Sequence, residues 1–345
     1  MKLTAGEIYF VGERDFKTKE ETPYVKIGIV REGAKGPRTS EERLLEHQTG
    51  NPRELFLRDV IVTPAVEEVE TRLHKYFATE AVSGEWFIFT PDLLDAAIFQ
   101  AKKLRDQAQE NLFALEQSEI LKKTLSNGKK LDAPEGAQKW HEMYALSSEI
   151  IKVAGKVKDQ FETLMIESVE DIEDIDHIIT KQTRKGSTFL NLERLEEVHP
   201  DICGKYLVAE QQFTQRFRIT PKKISEFMDS VEYQLAFGLF DESEDMFEYP
   251  PLNEEERRVL HDRYLLVIAE ESDAIWNKQI AEAQLKTLCG DYEAIEGICT
   301  WPRQNKERLV FDQEAFEAEN PELVKEFTEK RPDVEATIVE PKKGY

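Results

Sequence analysis

The sequence predicts an α+β protein: a small three-stranded α/β domain over residues 1–95, followed by a mostly helical region that contains a duplicated module. Three observations carry this. Short β-branched and aromatic runs alternate with helix-period segments up to about residue 90, long charged segments of helical period follow, and two stretches of that second part align without a gap.

Residues 7–11 and 24–30 are strand-like runs separated by a charged stretch with Pro23, which predicts a hairpin-like pair, and residues 55–62 predict a third strand. Between them, Thr39 and Ser40 cap a short helix that runs through Glu46 and His47 and is stopped by Gly50, Asn51 and Pro52. After Thr63 and Pro64, Val66, Val69, Leu73 and Phe77 recur at helical spacing. Residues 86–89 supply a last short strand before Thr90 and Pro91 open another helix. Beyond it, residues 96–125, 138–169, 222–240 and 254–289 read as long helices. Asn127, Gly128 and residues 132–136 break the first pair, and the acidic tract 241–245, which leads to Pro250 and Pro251, reads as a loop.

In the second part, residues 190–202 line up on residues 311–323. Each copy follows a polar basic stretch, 181–185 or 302–308, and is followed at the same offset by an aromatic, Tyr206 or Phe327. An offset of 121 residues is too long for a solenoid repeat. It predicts two copies of one helical module, each ending in a short β-like piece, within domains at 96–240 and 241–345.

At 345 residues the chain has room for two or three domains, and its 40% apolar and 10% aromatic residues are enough to bury real cores. No apolar run approaches the roughly 18 residues of a membrane span, the N-terminus lacks a secretory apolar region, and three scattered cysteines fit neither a disulfide framework nor a Cys-x-x-Cys zinc site. The expected location is the cytoplasm. The formal net charge of −23 argues against a protein that coats nucleic acid through a general basic field. The acidity is uneven, however: residues 1–100 hold 13 basic against 18 acidic side chains, and residues 101–345 hold 33 against 51.

The first hundred residues present, in order, Ile8 and Tyr9; Lys26, Ile27 and Gly28; Arg43 with His47; Gln48, Thr49, Gly50, Asn51 and Pro52; Glu70 with His74; and Gly84, Glu85, Trp86 and Phe87. This succession resembles the GIY-YIG endonuclease superfamily, in its phage-type branch, over about residues 5–95. The resemblance implies a small three-stranded sheet flanked by helices and a metal-dependent endonuclease acting on phosphodiester bonds. Such hydrolysis needs charge neutralised on the phosphate, an activated water and a cation facing the developing transition-state charge.

By the resemblance, Glu70 holds the metal, Mg²⁺ or Mn²⁺; a carboxylate is the hard oxygen ligand that Mg²⁺ prefers, and Mg²⁺ commonly takes only one or two. Arg43 and His47, at i and i+4, share one helix face. The resemblance implies that Arg43 holds the scissile phosphate with its planar, permanently charged fork, and that His47 relays a proton or binds phosphate beside it. Tyr9 matches the tyrosine of the first half-motif, and Lys26 stands where the second half-motif of other branches has tyrosine. Either Tyr9 or Lys26 serves as base, with Tyr24 on the same strand face as the less favoured alternative. Glu85 and Trp86 stand where other branches carry an asparagine and read equally as phosphate-positioning groups or as a strand signature; His74 reads as packed structure.

The acidic string 167–176 reads as a solvated helix or turn with one buried stripe, because Val169, Ile172 and Ile175 recur every third residue. Residues 285–323 loosely resemble the helical tail of YqaJ-like phage recombination exonucleases, without that family's catalytic core. The resemblances together imply phage, prophage or mobile-element DNA processing or defence. The expected partners are DNA and, through the acidic helical region, a second copy or another protein, with no membrane. The rival reading is a non-catalytic GIY-YIG scaffold whose acidic part mimics DNA or recruits a partner.

Overall fold

The computed structural model describes residues 3–33, 39–168, 178–222, 234 and 252–341. Side-chain alternation builds its first sheet. In β1 (Gly6–Arg14), Ile8 and Phe10 turn to one face while Tyr9 and Val11 turn to the other. β2 (Glu21–Arg31) does the same, sending Val25 and Ile27 to the first face and Lys26, Gly28 and Val30 to the second. β1 pairs antiparallel with β2 and with β3 (Glu54–Thr63). Helices α2 (Val66–Tyr76) and α3 (Pro91–Glu110) cover the first face through Val66, Val69, Leu73, Ala97, Ala101 and Leu104. Helix α1 (Ser40–Gln48) lies over the second through Leu44.

The sheet has five strands rather than three, in the order β3-β1-β2-β5-β4, all pairs antiparallel. Gly84, at φ +58, permits the tight turn between β4 (Ala81–Ser83) and β5 (Trp86–Ile88). The resulting hairpin lays β5 on the edge of β2 and satisfies backbone groups that a three-stranded sheet would leave open.

Two further differences have local causes. The helix expected over 96–125 starts at Pro91 and breaks at Asn111, between α3 and α4 (Leu112–Leu121). The Asn111 side chain donates to the Gln107 carbonyl at 2.8 Å and accepts from Gln284 at 2.9 Å, and so competes with the backbone ladder. The region after residue 95 is also richer in strand than expected. With 50% helix and 27% strand among the described residues, the chain is an α+β protein. The body of that region is the pair α5 (Ala137–Glu167) and α8 (Glu254–Cys289), packed on Phe161, Met165, Leu260, Tyr264 and Leu265. Asn253 and Glu256 close a reciprocal capping box at the start of α8. A small sheet of order β10-β12-β11-β6 (Arg218–Ile219, Cys299–Thr300, Ala294–Ile295, Lys130–Leu131) packs at the far end of α8 against Leu285, Cys289 and Trp301.

The aligned stretches fold alike. Asn191 caps α6 (Leu192–Val198) and Asp312 caps α9 (Gln313–Glu319), both at φ −77 and with ψ of 86 and 85. Pro200 and Pro321 then open α7 (Pro200–Lys205) and α10 (Pro321–Phe327). Leu195, Cys203, Phe316 and Phe327 bury together, so the two copies share one core. Each copy exchanges strands with the other: β9 (Leu207–Gln215) pairs with β13 (Arg303–Phe311), β8 (Thr188–Leu190) with β14 (Thr328–Lys330), and β7 (Ile179–Arg184) with β15 (Val334–Val339). The pair Leu190–Thr328, with 121 added to one member and subtracted from the other, becomes Phe311–Leu207, so an approximate two-fold relates the two ribbons.

Most of the helix expected over 222–240, the loop at 241–245 and the acidic string from Val169 onward lie outside the described residues. Cys203, Cys289 and Cys299 are buried free thiols. Among the described residues no helix is long and apolar enough to cross a membrane.

Candidate active site

The second face of the first sheet places Tyr9 and Lys26 on adjacent strands under α1. Tyr9 pairs across β1 and β2 with Gly28, and the absence of a side chain there makes room for the phenol. A Cβ at Gly28 would lie 2.5 Å from Tyr9 Oη and 2.6 Å from its Cζ. Gly28→Ala is therefore expected to displace the ring and to cost about 1–3 kcal/mol. Urea unfolding with near-ultraviolet circular dichroism reads both effects.

Helix α1 is tied at both ends. Thr39 caps it by accepting from the Glu42 backbone, and Glu7 on β1 accepts from the Ser40 backbone at 2.8 Å and hydroxyl at 2.6 Å. At the other end Gln48 accepts from the Leu55 backbone at 2.8 Å and donates to the Arg53 carbonyl at 2.9 Å, while Gly50 turns the chain at φ +83. The stretch from Gln48 to Pro52 thus locks α1 to the start of β3, and that fixes where Arg43 and His47 point.

Tyr9 Oη lies 3.2 Å from His47 Nε2. Burial holds the phenol above its ordinary value, against the hydrogen bond and charge of Arg43; Glu85 and Glu70 push the same way as burial. The tyrosine therefore keeps its proton at neutral pH. Burial, followed by the positive charges of Lys26 and Arg43, holds the His47 imidazole below its ordinary 6.5 despite Glu85 and Glu46. A neutral imidazole beside a protonated phenol is a donor–acceptor pair when Nε2 is the unprotonated nitrogen. Arg43, half-buried, bonds Glu46 at 2.5 Å one turn along α1 and also bonds Tyr9, and both raise its pKa.

Lys26 is 8% exposed and forms an ion pair with Glu85, from the turn between β4 and β5. Burial pushes the Glu85 carboxyl up, but the bond and charge of Lys26 outweigh it, and the net shift is downward. Trp86 packs on the Tyr9 face, and Phe87 goes to the other core beside His74, with ring centres 5.2 Å apart. His74 Nε2 lies 3.2 Å from the Ile27 carbonyl, which accounts for it as buried structure. Tyr24 is exposed on β2.

Glu70 is half-buried on α2 and lines a pocket of about 280 Å³ with His74, Lys75, Glu85, Ile268 and Pro341. The structure thus brings Tyr9, Lys26, Arg43 and His47 together on the second face, where the charge of Glu70 also reaches Tyr9, while Glu70 itself lines a pocket that none of those four lines. Among the described residues no group of three or more metal-ligating side chains occurs. Two carboxylates at one pocket, Glu70 and Glu85, are the hard oxygen donors that suit a Mg²⁺ ion whose remaining ligands are water and phosphate.

Three groups escaped the sequence reading. Glu46 competes for Arg43, and the i,i+3 spacing was its available signal. Glu7 anchors α1 from 33 residues away, with no local signal. Asp273, on α8, accepts from Arg72 and Tyr76, which fastens the Glu70 helix to the second part of the chain. Arg72 is 3% exposed and also stands over the Trp276 ring at 5.4 Å. Comparisons of the chain with family models, with curated proteins and with solved structures return no match.

Proposed function

We propose that this chain is a metal-dependent DNA endonuclease that hydrolyses phosphodiester bonds at the cleft of Tyr9, Lys26, Arg43, His47 and Glu70. The observation that supports the reading best is the neutral His47 imidazole held 3.2 Å from the Tyr9 phenol beside the Arg43 guanidinium. Arg43 exchanges its Glu46 partner for the scissile phosphate and stays on it as charge builds in the transition state. Tyr9 bridges the attacking water to His47: as the water proton moves to the phenol oxygen, the phenol proton moves to Nε2. Lys26, oriented by Glu85, faces the same phosphate as a second cation and is not the base in this arrangement, because it donates to Glu85. Glu70, with Glu85 at the same pocket, would hold Mg²⁺ or Mn²⁺, which supplies phosphate charge neutralisation and a more acidic water.

The direct test is cleavage of supercoiled plasmid, linear duplex and single-stranded DNA with Mg²⁺, with Mn²⁺ and with EDTA. Cutting that needs the metal is the expected result. A folded chain that cuts none of the three with either metal would remove the reading and favour a binding protein on the same scaffold.

The rate should also fall in acid. The competent His47 is neutral and its pKa is depressed, so activity is full above 6.5 and is lost as pH drops through a lower midpoint. A pH profile of single-turnover cleavage reads that limb, and an acid midpoint at or above 6.5 would exclude His47 as the acceptor.

A further inference from the structure

We propose that the ribbon of β9 and β13 is a second DNA-binding surface, which takes the backbone of a duplex through Arg216, Arg218, Lys306 and Arg308. It shares no lining residue with the Glu70 pocket and does not depend on catalysis at the cleft.

The chain carries 69 acidic against 46 basic side chains, so four cations that line one groove with no carboxylate among its lining residues are the informative feature. At the nuclease end Arg14, Lys19, Lys26, Arg31, Arg43 and Arg58 each sit in an ion pair. Arg216, Arg218, Lys306 and Arg308 are all exposed and form none among the described residues, yet they line one groove. No carboxylate lines that groove; Gln212 and Gln304 stand between the cations.

The register explains the clustering. Alternate residues of a strand share a face, and Gln212 lies opposite Lys306, Thr214 opposite Gln304. Arg216 continues the same face one step beyond β9, and Arg308 lies opposite Glu210, the one carboxylate of that face, without an ion pair between them. Nine consecutive cross-strand pairs without a register shift make the ribbon roughly 30 Å long at about 3.4 Å per residue. It is anchored at one end by buried Arg303 and at the other by the helices of the aligned stretches. Both strands are exposed along most of their length, so nothing in the described chain covers the cationic face.

The shape and charge select the occupant. The major groove of B-form DNA, about 12 Å wide, admits a two-stranded ribbon, whereas the corresponding groove of A-form RNA is too narrow for side chains to enter. Four cations against a net charge of −23 give local attraction within a repelling field, so binding must be strongly salt-dependent. This also reconciles a strongly acidic chain with a polyanionic ligand: the contact is confined to a projecting ribbon.

The test is fluorescence anisotropy of a labelled 30-base-pair duplex with the full chain in EDTA, over a series of salt concentrations. The combined variant Arg216→Gln, Arg218→Gln, Lys306→Gln, Arg308→Gln is expected to bind at least about tenfold more weakly, with a log–log salt slope shallower by about 3–4. Each single variant should flatten the slope by about 1, which keeps the measurement decisive if the combined variant folds poorly. Lys325→Gln with Lys330→Gln, which removes two exposed cations already paired with Glu322 and Asp333, should leave binding unchanged. Unchanged affinity and slope in the combined variant, no duplex binding by the unaltered chain, or a preference for duplex RNA or an acidic peptide would each overturn the proposal. Because EDTA removes the metal, this result is independent of cleavage. Loss of cutting in Glu70→Ala with duplex binding intact would concern the cleft alone.

Discussion

Glu70→Ala and Arg43→Ala are each expected to lower the single-turnover rate of metal-dependent plasmid cleavage by about 10²–10³-fold or more, with the fold unchanged. Both side chains are half-exposed and belong to neither buried cluster of the first sheet, so unfolding does not explain a loss. The two variants should differ in character. Without Glu70 the demand for added Mg²⁺ or Mn²⁺ rises, because a carboxylate donor is gone from the pocket it shares with Glu85. Without Arg43 the metal dependence stays and the chemical step slows, and Arg43→Lys restores only part of it because an ammonium cannot fork onto two phosphate oxygens. Glu46→Gln should act in the opposite direction: it frees Arg43 from its 2.5 Å partner and tightens substrate binding. Rates of the two alanine variants equal to those of the unaltered chain would move the chemistry out of this cleft.

Arg303→Met is expected to destabilise the second part of the chain by about 1–3 kcal/mol, read as a lower midpoint in urea unfolding. Arg303 is fully buried and forms no ion pair among the described residues, although the charge of Asp291 reaches it. Its guanidinium instead donates to the carbonyls of Gly290 at 2.6 Å, Leu121 at 2.9 Å and Tyr292 at 3.1 Å, and lies 4.0 Å above the Trp301 ring. The C-terminal carbonyls of α4 and α8 converge there, so the cation sits where two helix dipoles leave partial negative charge. Methionine fills a similar volume but leaves the Gly290 carbonyl without its donor and takes one donor from Leu121 and Tyr292, whose carbonyls keep Thr124 and Cys289. Arg303→Lys should recover only a fraction, since one ammonium cannot reach the same set of acceptors. The same residue roots β13, so the Met variant should also weaken duplex binding at the ribbon. An unaltered midpoint would mean that water replaces the guanidinium without cost.

The elements of the first hundred residues were readable because their causes are local. Ile8 and Phe10 alternate with Tyr9 and Val11; Val66, Val69 and Leu73 recur on one helix face; Thr39 and Thr90 cap with their own hydroxyls. Arg43 and His47 were placed together by a spacing of four within one helix. The hairpin at Gly84 was harder to read, because its strands are three residues each and say nothing about which edge they join. The break at Asn111 depends on Gln284, 173 residues away, and a long helix was the natural local reading.

The sequence by itself determined the strand and helix faces, the caps, the equivalence of residues 190–202 with 311–323, and the order of chemical groups in the first hundred residues. Only the tertiary structure decided their partners. Lys26 meets Glu85 across 59 residues, and Arg72 meets Asp273 across 201, which fastens the Glu70 helix to α8. It also decided that the two aligned stretches exchange strands, which turned scattered basic residues into one cationic ribbon. The division is physical: periodicity and capping arise from interactions within a turn or two of the chain. Ion pairs and ladders between distant segments exist only after a loop has closed, and many carboxylates compete for each cation until it does.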